Sequence, residues 1–163
     1  MKKESKIISV WESFLQLSLG EKQKSFYEKM ISDAQVVHMT PIKEVFSKEE
    51  ISQIKKCVKP KKKECYKNAT SLCALFPEKE IKYVEGFFTC YGFPLEHAFN
   101  KVGDKYVDIT GSLLLSVSED EEYVALGEWT EKEVWEVLLK TGCYGGIWKE
   151  KYVESLTNKN SVL

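Results

Sequence analysis

The chain has 163 residues, 43% of them apolar and 30% charged, with a formal charge of −1. That length suits one domain with a single sizeable core, and the apolar fraction is too rich for a disordered chain. All 24 basic residues are lysine; without the arginine fork used on phosphates and guanine edges, and near neutrality, nucleic acid is not an expected partner.

Apolar positions at helical spacing predict a helix over 7–19 (Ile7, Trp11, Phe14, Leu15, Leu19), with Gly20 as its C-cap. A second helix is expected over 21–31, with Phe26, Tyr27 and Met30 inward. Residues 36–39 read as a short strand or a loop before Pro41. Ser47 with Glu50 forms a capping box that opens a helix through Ile51, Ile54 and Val58, and Pro60 closes it. The next helical period runs over 65–76 (Cys65, Ala69, Leu72, Cys73, Phe76) and stops at Pro77. Strand-like runs follow at 81–90, 96–102, 105–109 and 123–129, with a tight turn at Gly103-Asp104. Thr130 with Glu133 is a second capping box, Gly142 ends that helix, and a last helix is expected over 148–156. The acidic run 119–122 reads as an exposed turn. The expected fold class is α+β, with N-terminal helices (1–60), a core (61–130) built from a Cys-bearing helix packed on an antiparallel sheet, and C-terminal helices (131–163), all in a single domain.

No run approaches the roughly 18 apolar residues needed to span a bilayer, so no membrane partner is expected. Segment 7–19 is broken by Glu12 and Gln16 and lacks a small-residue cleavage site, so it is not read as a signal peptide. The five cysteines (Cys57, Cys65, Cys73, Cys90, Cys143) are odd in number and none is in C-x-x-C spacing. Free thiols in a reducing cytoplasm are expected, with no metal and no cofactor.

Three residue types then line up in chain order. Cys65 opens a predicted helix, where unpaired backbone N–H groups and partial positive charge favour a thiolate. His97 lies on a strand and Asp108 on the next. The turn at Gly103 brings position 97 opposite 108 or 109, so the carboxylate can orient the imidazole toward sulfur. Among the other candidates, Cys73 shares the inner face of the Cys65 helix and reads as core. His38 sits among Val36, Val37 and Met39 as a packed residue, and Trp11, Trp129, Trp135 and Trp148 read as core. The lysines at 61–63 read as a solvated run that can also favour acidic substrates.

The pieces Cys65-Tyr66-Lys67-Asn68-Ala69, His97-Ala98-Phe99 and Val107-Asp108-Ile109-Thr110 resemble the transglutaminase-like core of the papain-like cysteine enzymes, over about residues 64–110. Tyr83-Val84-Glu85-Gly86 is similar to a segment of small bacterial and phage proteins of that type. The resemblance implies catalytic roles for Cys65, His97 and Asp108. It implies a thiol hydrolase or acyl transferase working through an acyl-enzyme on a protein, peptide or small amide substrate; peptidase, amidase, deamidase and transglutaminase chemistry all remain open. Family cores often carry Trp after His-Ala and Pro after the Asp, where this chain has Phe99 and Ile109. Asn68, Tyr66, Glu85 and Gly86 are the candidates for oxyanion or substrate contacts, and Gln35 and Gln53 are the upstream glutamines available. A catalytically inactive binding module on the same fold is the alternative, and a metal site built from the same three residues is a third reading.

Overall fold

The computed structural model describes residues 5–115 and 121–160. Among them are seven α-helices and five strands, an α+β arrangement. Helices α1 (Lys6–Leu15) and α2 (Glu21–Asp33) lead into strand β1 (Gln35–Val37). Helix α3 (Lys48–Gln53) runs on into a π turn over Ile54–Val58, and α4 (Cys65–Leu75) follows. Strands β2 (Lys82–Cys90), β3 (Phe93–Val102) and β4 (Lys105–Val107) come next, then α5 (Ile109–Leu114), β5 (Tyr123–Trp129), α6 (Glu131–Thr141) and α7 (Ile147–Asn160).

The sheet order is β1-β5-β2-β3-β4, every neighbouring pair antiparallel. The sheet curls until its two edges approach. Met39, just past β1, bridges Tyr106 on β4, and the Thr40 N–H donates to the Tyr106 carbonyl at 2.7 Å. Strand alternation then builds two cores. Val37, Val84, Phe88, Phe99, Tyr106, Tyr123 and Ala125 pack within the curl. The opposite face, carrying Tyr83, Ala98 and Val124, packs against Ala69, Leu72 and Cys73 of α4 and against Ile7 and Trp11 of α1. Cys73 is core, as its helical position implies, with its thiol pushed up to about 12, chiefly by burial.

Asn100 ties α4 to the sheet. It is fully buried on β3, and its amide nitrogen donates to the Ala69 carbonyl (2.9 Å) and the Lys82 carbonyl (3.3 Å). Gly86 has a different task. A bulge separates Glu85 and Gly86 where β2 pairs with β5, and a Cβ on Gly86 would lie 1.8 Å from the Val124 carbonyl oxygen. Only a residue without a side chain permits that approach.

Several expectations are corrected. Helix α1 ends at Leu15, and Gly20, at φ −67°, is the N-cap of α2 rather than a C-cap. The fourth strand stops at Val107, because the Asp108 side chain caps a new helix, α5, through the Gly111 N–H. The hairpin register pairs Asn100 with Val107, so position 97 falls opposite 110 rather than 108 or 109. His38 is exposed, because β1 turns Val37 inward and its neighbours outward. Trp135 is 38% exposed, with its indole N–H on Glu131, so of the four tryptophans it alone lies outside the core. In the acidic run, Glu119 and Asp120 lie outside the described residues. Glu122 is not a free turn residue, for its carboxylate accepts from the Ser5 hydroxyl (2.6 Å) and the Lys6 and Ile7 N–H groups (3.1 Å each) at the start of α1. A carboxylate at a helix start pairs orphan donors and favours the dipole.

Gly86→Ala is expected to destabilise the fold by roughly 3 kcal/mol or more, since backbone rather than a flexible side chain must move. Urea unfolding of the purified variant measures this. A loss below about 0.5 kcal/mol would mean that the β2–β5 approach is not as tight as the bulge implies.

Candidate active site

Helix α4 begins at Cys65 because Lys63 adopts a left-handed backbone (φ 65°), which turns the chain out of the lysine loop, and Glu64 follows as N-cap. Glu64 makes no side-chain cap, so the first turn of α4 opens without a capping side chain. The thiol itself is half-buried, between the extremes of an inert core cysteine and a fully solvated one.

His97 is 4% exposed and projects from β3 into the curl of the sheet. Its ring lies 4.6 Å from the Phe88 ring centroid and also contacts Phe99 and Tyr123. Its Nε2 sits 2.7 Å from Asp108 Oδ2. Asp108 is equally buried and fully partnered: Oδ1 accepts from the Gly111 N–H at 2.9 Å, and Oδ2 also accepts from the Tyr123 hydroxyl at 3.0 Å. With Nε2–H committed to the carboxylate, Nδ1 is the ring nitrogen left for the thiol. After Asp108, Cys65 is the next group that raises His97, which puts the thiol near the imidazole. The three groups therefore stand in series, carboxylate to imidazole to thiol, rather than converging on one point as metal ligands would. No group of three or more His, Cys, Asp or Glu side chains placed to share a metal occurs among the described residues.

Burial alone would push His97 down, but the Asp108 charge and hydrogen bond, with Cys65 adding to them, outweigh it and raise the imidazole to about 9. Burial likewise works to raise Asp108, yet His97, the Gly111 N–H and the Tyr123 hydroxyl hold it below its ordinary value. Tyr123 in turn is pushed well up by burial and by the Asp108 charge, so its phenol stays protonated as a donor.

The other candidates take different places. Asn68 is buried, and its amide holds the lysine loop and α5 to α4. Nδ2 donates to the Lys61 carbonyl (2.9 Å) and Thr110 Oγ1 (3.0 Å), while Oδ1 accepts from the Lys61 N–H (3.2 Å). Both of its donors are thus engaged. Gln35 is exposed on the edge strand β1, three strands from His97 in the sheet order, and Gln53 is exposed at the end of α3. Gly86 pairs directly with His97, and its lack of a side chain serves the close approach of β5 rather than the ring. Tyr66 donates to Glu96 at 3.2 Å, and Gly145 (φ 82°) closes over its ring, where a Cβ would lie 2.5 Å away. Glu85 is buried, and its oxygens accept from the Tyr83 hydroxyl (2.8 Å) and from the Ile147 and Trp148 N–H groups (3.0 Å each), pinning the start of α7.

Tyr66, Glu85, Gly86 and Glu96 line a cleft of about 740 Å³, to whose wall Cys65, His97 and Asp108 do not contribute. Tyr123, Gly111 and Glu96 were not singled out from the sequence. Of these only Gly111 left a signal there, since Asp followed by Ile-Thr-Gly is N-cap chemistry. Comparison with known proteins finds no matching family model, no matching curated protein and no matching solved structure.

The sign of the pH dependence follows from these shifts. His97 is raised above its ordinary 6.5, so its contribution to stability is full below about pH 6.5 and is lost as pH rises through about 9. Asp108 is depressed, so its contribution is present above 3.8 and is lost as pH falls through its lower folded value. Wild-type unfolding free energy should therefore fall as pH rises from 6.5 to 9. In Asp108→Asn, measured by urea unfolding across the same range, that fall should be absent; an unchanged slope would show that the pair is not the titrating element.

Proposed function

We propose that this chain is a thiol hydrolase or acyl transferase, acting through Cys65, His97 and Asp108 on a papain-like or transglutaminase-like core. The observation that supports it is the buried series of carboxylate, imidazole and half-buried thiol at an uncapped helix start. A structural histidine needs no second partner on its other nitrogen, and a core cysteine needs no helix N-terminus.

In this reading, Asp108 holds Nε2–H and leaves Nδ1 facing Cys65. Nδ1 takes the thiol proton, and the thiolate attacks the carbonyl carbon of the substrate. The oxyanion formed is met by the N–H of Cys65 and its neighbours in the first turn of α4. His97 then returns the proton to the leaving nitrogen or oxygen, and an acyl-enzyme remains on Cys65. Water or an amine, deprotonated by the same imidazole, attacks the thioester and restores the thiol. Tyr123 and the Gly111 N–H act through Asp108 as positioning groups. The exposed lysines at 61–63 lie just before the nucleophile and bring positive charge to that side of the site.

The exposed thiols Cys57 and Cys143 give an internal reference. With iodoacetamide at pH 6.5, where an ordinary thiol is about 1% thiolate, Cys65 should be carboxamidomethylated at least about tenfold faster than Cys57 despite lower exposure. Peptide mass spectrometry follows each site. In His97→Ala the advantage should vanish. If Cys65 in the wild type reacts no faster than Cys57, the enzyme reading fails and a binding module on this fold takes its place.

A further inference from the structure

Charge is unevenly placed along this chain. Residues 55–67 carry seven lysines and one glutamate, a net +6 in a chain of −1, so the rest of the chain carries −7. Lys55 and Lys56 stand on the π turn, four more lysines in the loop 59–63, and Lys67 in the first turn of α4. All seven are exposed, and among the described residues a single ion pair reaches them, Lys67 with Glu64 at 3.9 Å. Lys59 (φ 50°) and Lys63 (φ 65°) both hold left-handed backbone, which glycine adopts without steric cost. Lysine at both positions goes against that local preference, so the side chains rather than the backbone give the reason for it.

The loop is fixed beside the nucleophile. Lys63 lies two residues before Cys65, so their Cα atoms are at most about 7.6 Å apart. The Glu64 N–H donates to the Lys61 carbonyl at 3.3 Å, which closes a turn. Asn68, one helical turn after Cys65, holds the Lys61 N–H at 3.2 Å and its carbonyl at 2.9 Å. The loop is thereby folded back against the first turn of α4. The same amide reaches Thr110 on α5, the helix that Asp108 opens. One buried side chain thus keeps the lysine loop in register with both the thiol helix and the carboxylate segment.

Exposed lysines spread over a turn, a loop and a helix start make no cradle for one small anion; they match a run of several negative charges. A nucleic acid or an anionic bilayer would extend past this patch and meet a chain that is elsewhere net negative, and no arginine is present to grip phosphate bidentately. A polypeptide segment rich in Asp and Glu is short, negative and built of amides, the bond type that a thiolate attacks. On the thiol reading above, we infer that the substrate of this site is an acidic polypeptide, with its carboxylates on the lysine loop and a neighbouring amide at Cys65. Cys65 Sγ bonds to the amide carbonyl carbon, the bond from that carbon to nitrogen breaks, and the thiol proton passes through His97 to the leaving nitrogen. Water then cleaves the thioester and restores the thiol. The lysines steer and hold the substrate, while the Cys65–His97–Asp108 series performs the transfer.

The test uses chloroacetyl peptides rich in glutamate or in serine, whose chloride is displaced by Cys65 Sγ, with each thiol followed by peptide mass spectrometry. The glutamate peptide should alkylate Cys65 at least about tenfold faster than the serine peptide at about 20 mM salt. At about 500 mM salt, where the Debye length is about 4 Å, that ratio should fall below about threefold. The double variant Lys61→Glu, Lys62→Glu should abolish the preference, whereas Lys22→Glu, Lys24→Glu on α2, with the same change in net charge, should keep it. The salt series requires no variant to fold. An octaglutamate peptide should protect Cys65 from the serine peptide, and a DNA oligonucleotide of equal charge should not. Equal rates for the two peptides, with Cys65 still faster than the exposed Cys143, overturn the acidic-substrate assignment and leave the thiol reading standing. Equal protection by the oligonucleotide overturns the assignment to polypeptide. A Cys65 that reacts with the serine peptide no faster than Cys143 overturns the thiol reading and this inference with it.

Discussion

The short contact between His97 and Asp108, both almost fully removed from water, is the constraint around which the site is arranged. A buried carboxylate is tolerated only when its lone pairs are met. Asp108 meets them from three directions: the imidazole on β3, the first turn of α5, and the Tyr123 phenol on β5. That requirement draws together two strands that are not neighbours and a helix that begins at the carboxylate itself. The same residue therefore ends β4, caps α5 and fixes the ring of His97. The curl of the sheet is what makes this possible, because a flat sheet would leave Tyr123 two strands away from the β3–β4 hairpin.

A second use of carboxylates shapes the surroundings. Glu122 receives the start of α1, and Glu85 receives the start of α7. Each lies on or beside the sheet and satisfies N–H groups that a helix leaves orphaned. The two helices are thereby anchored at their N-terminal ends over the same face, and their aromatic residues line the cleft. The N-terminal helices are thus part of the cleft wall, and β1 among them supplies an edge of the sheet.

Much of the local structure was legible in the sequence. Both capping boxes, the left-handed Gly142, the two-residue turn at Gly103 and the start of the central helix at Cys65 are carried by neighbours within a few residues. The α+β class follows from where helical period gives way to strand alternation. The elements that were misread share a different cause. Gly20 was placed as a helix end because its local chemistry fits either role, and the helix before it stops five residues earlier, at Leu15. Asp108 was placed inside a strand because Val107 and Ile109 look alike to a period-two pattern, and its capping of α5 was overlooked. His38 and Trp135 were placed inward on apolar neighbours, whereas a strand or helix face is chosen by what packs against it.

The sequence alone determined the parts: a thiol at a helix start, an imidazole and a carboxylate on successive segments, and the hairpin that keeps the last two close. Those are short-range facts, written in spacing of at most a dozen residues. Tertiary structure alone decided the rest. It assigned Nε2 to Asp108, brought in Tyr123 from beyond α5, turned Asn68 and Glu85 to structural work, and assembled an aromatic cleft from five separate elements. These are contacts between residues as far as 63 and 115 positions apart, and their geometry depends on how the sheet curls and where each helix is pinned, which no local pattern encodes.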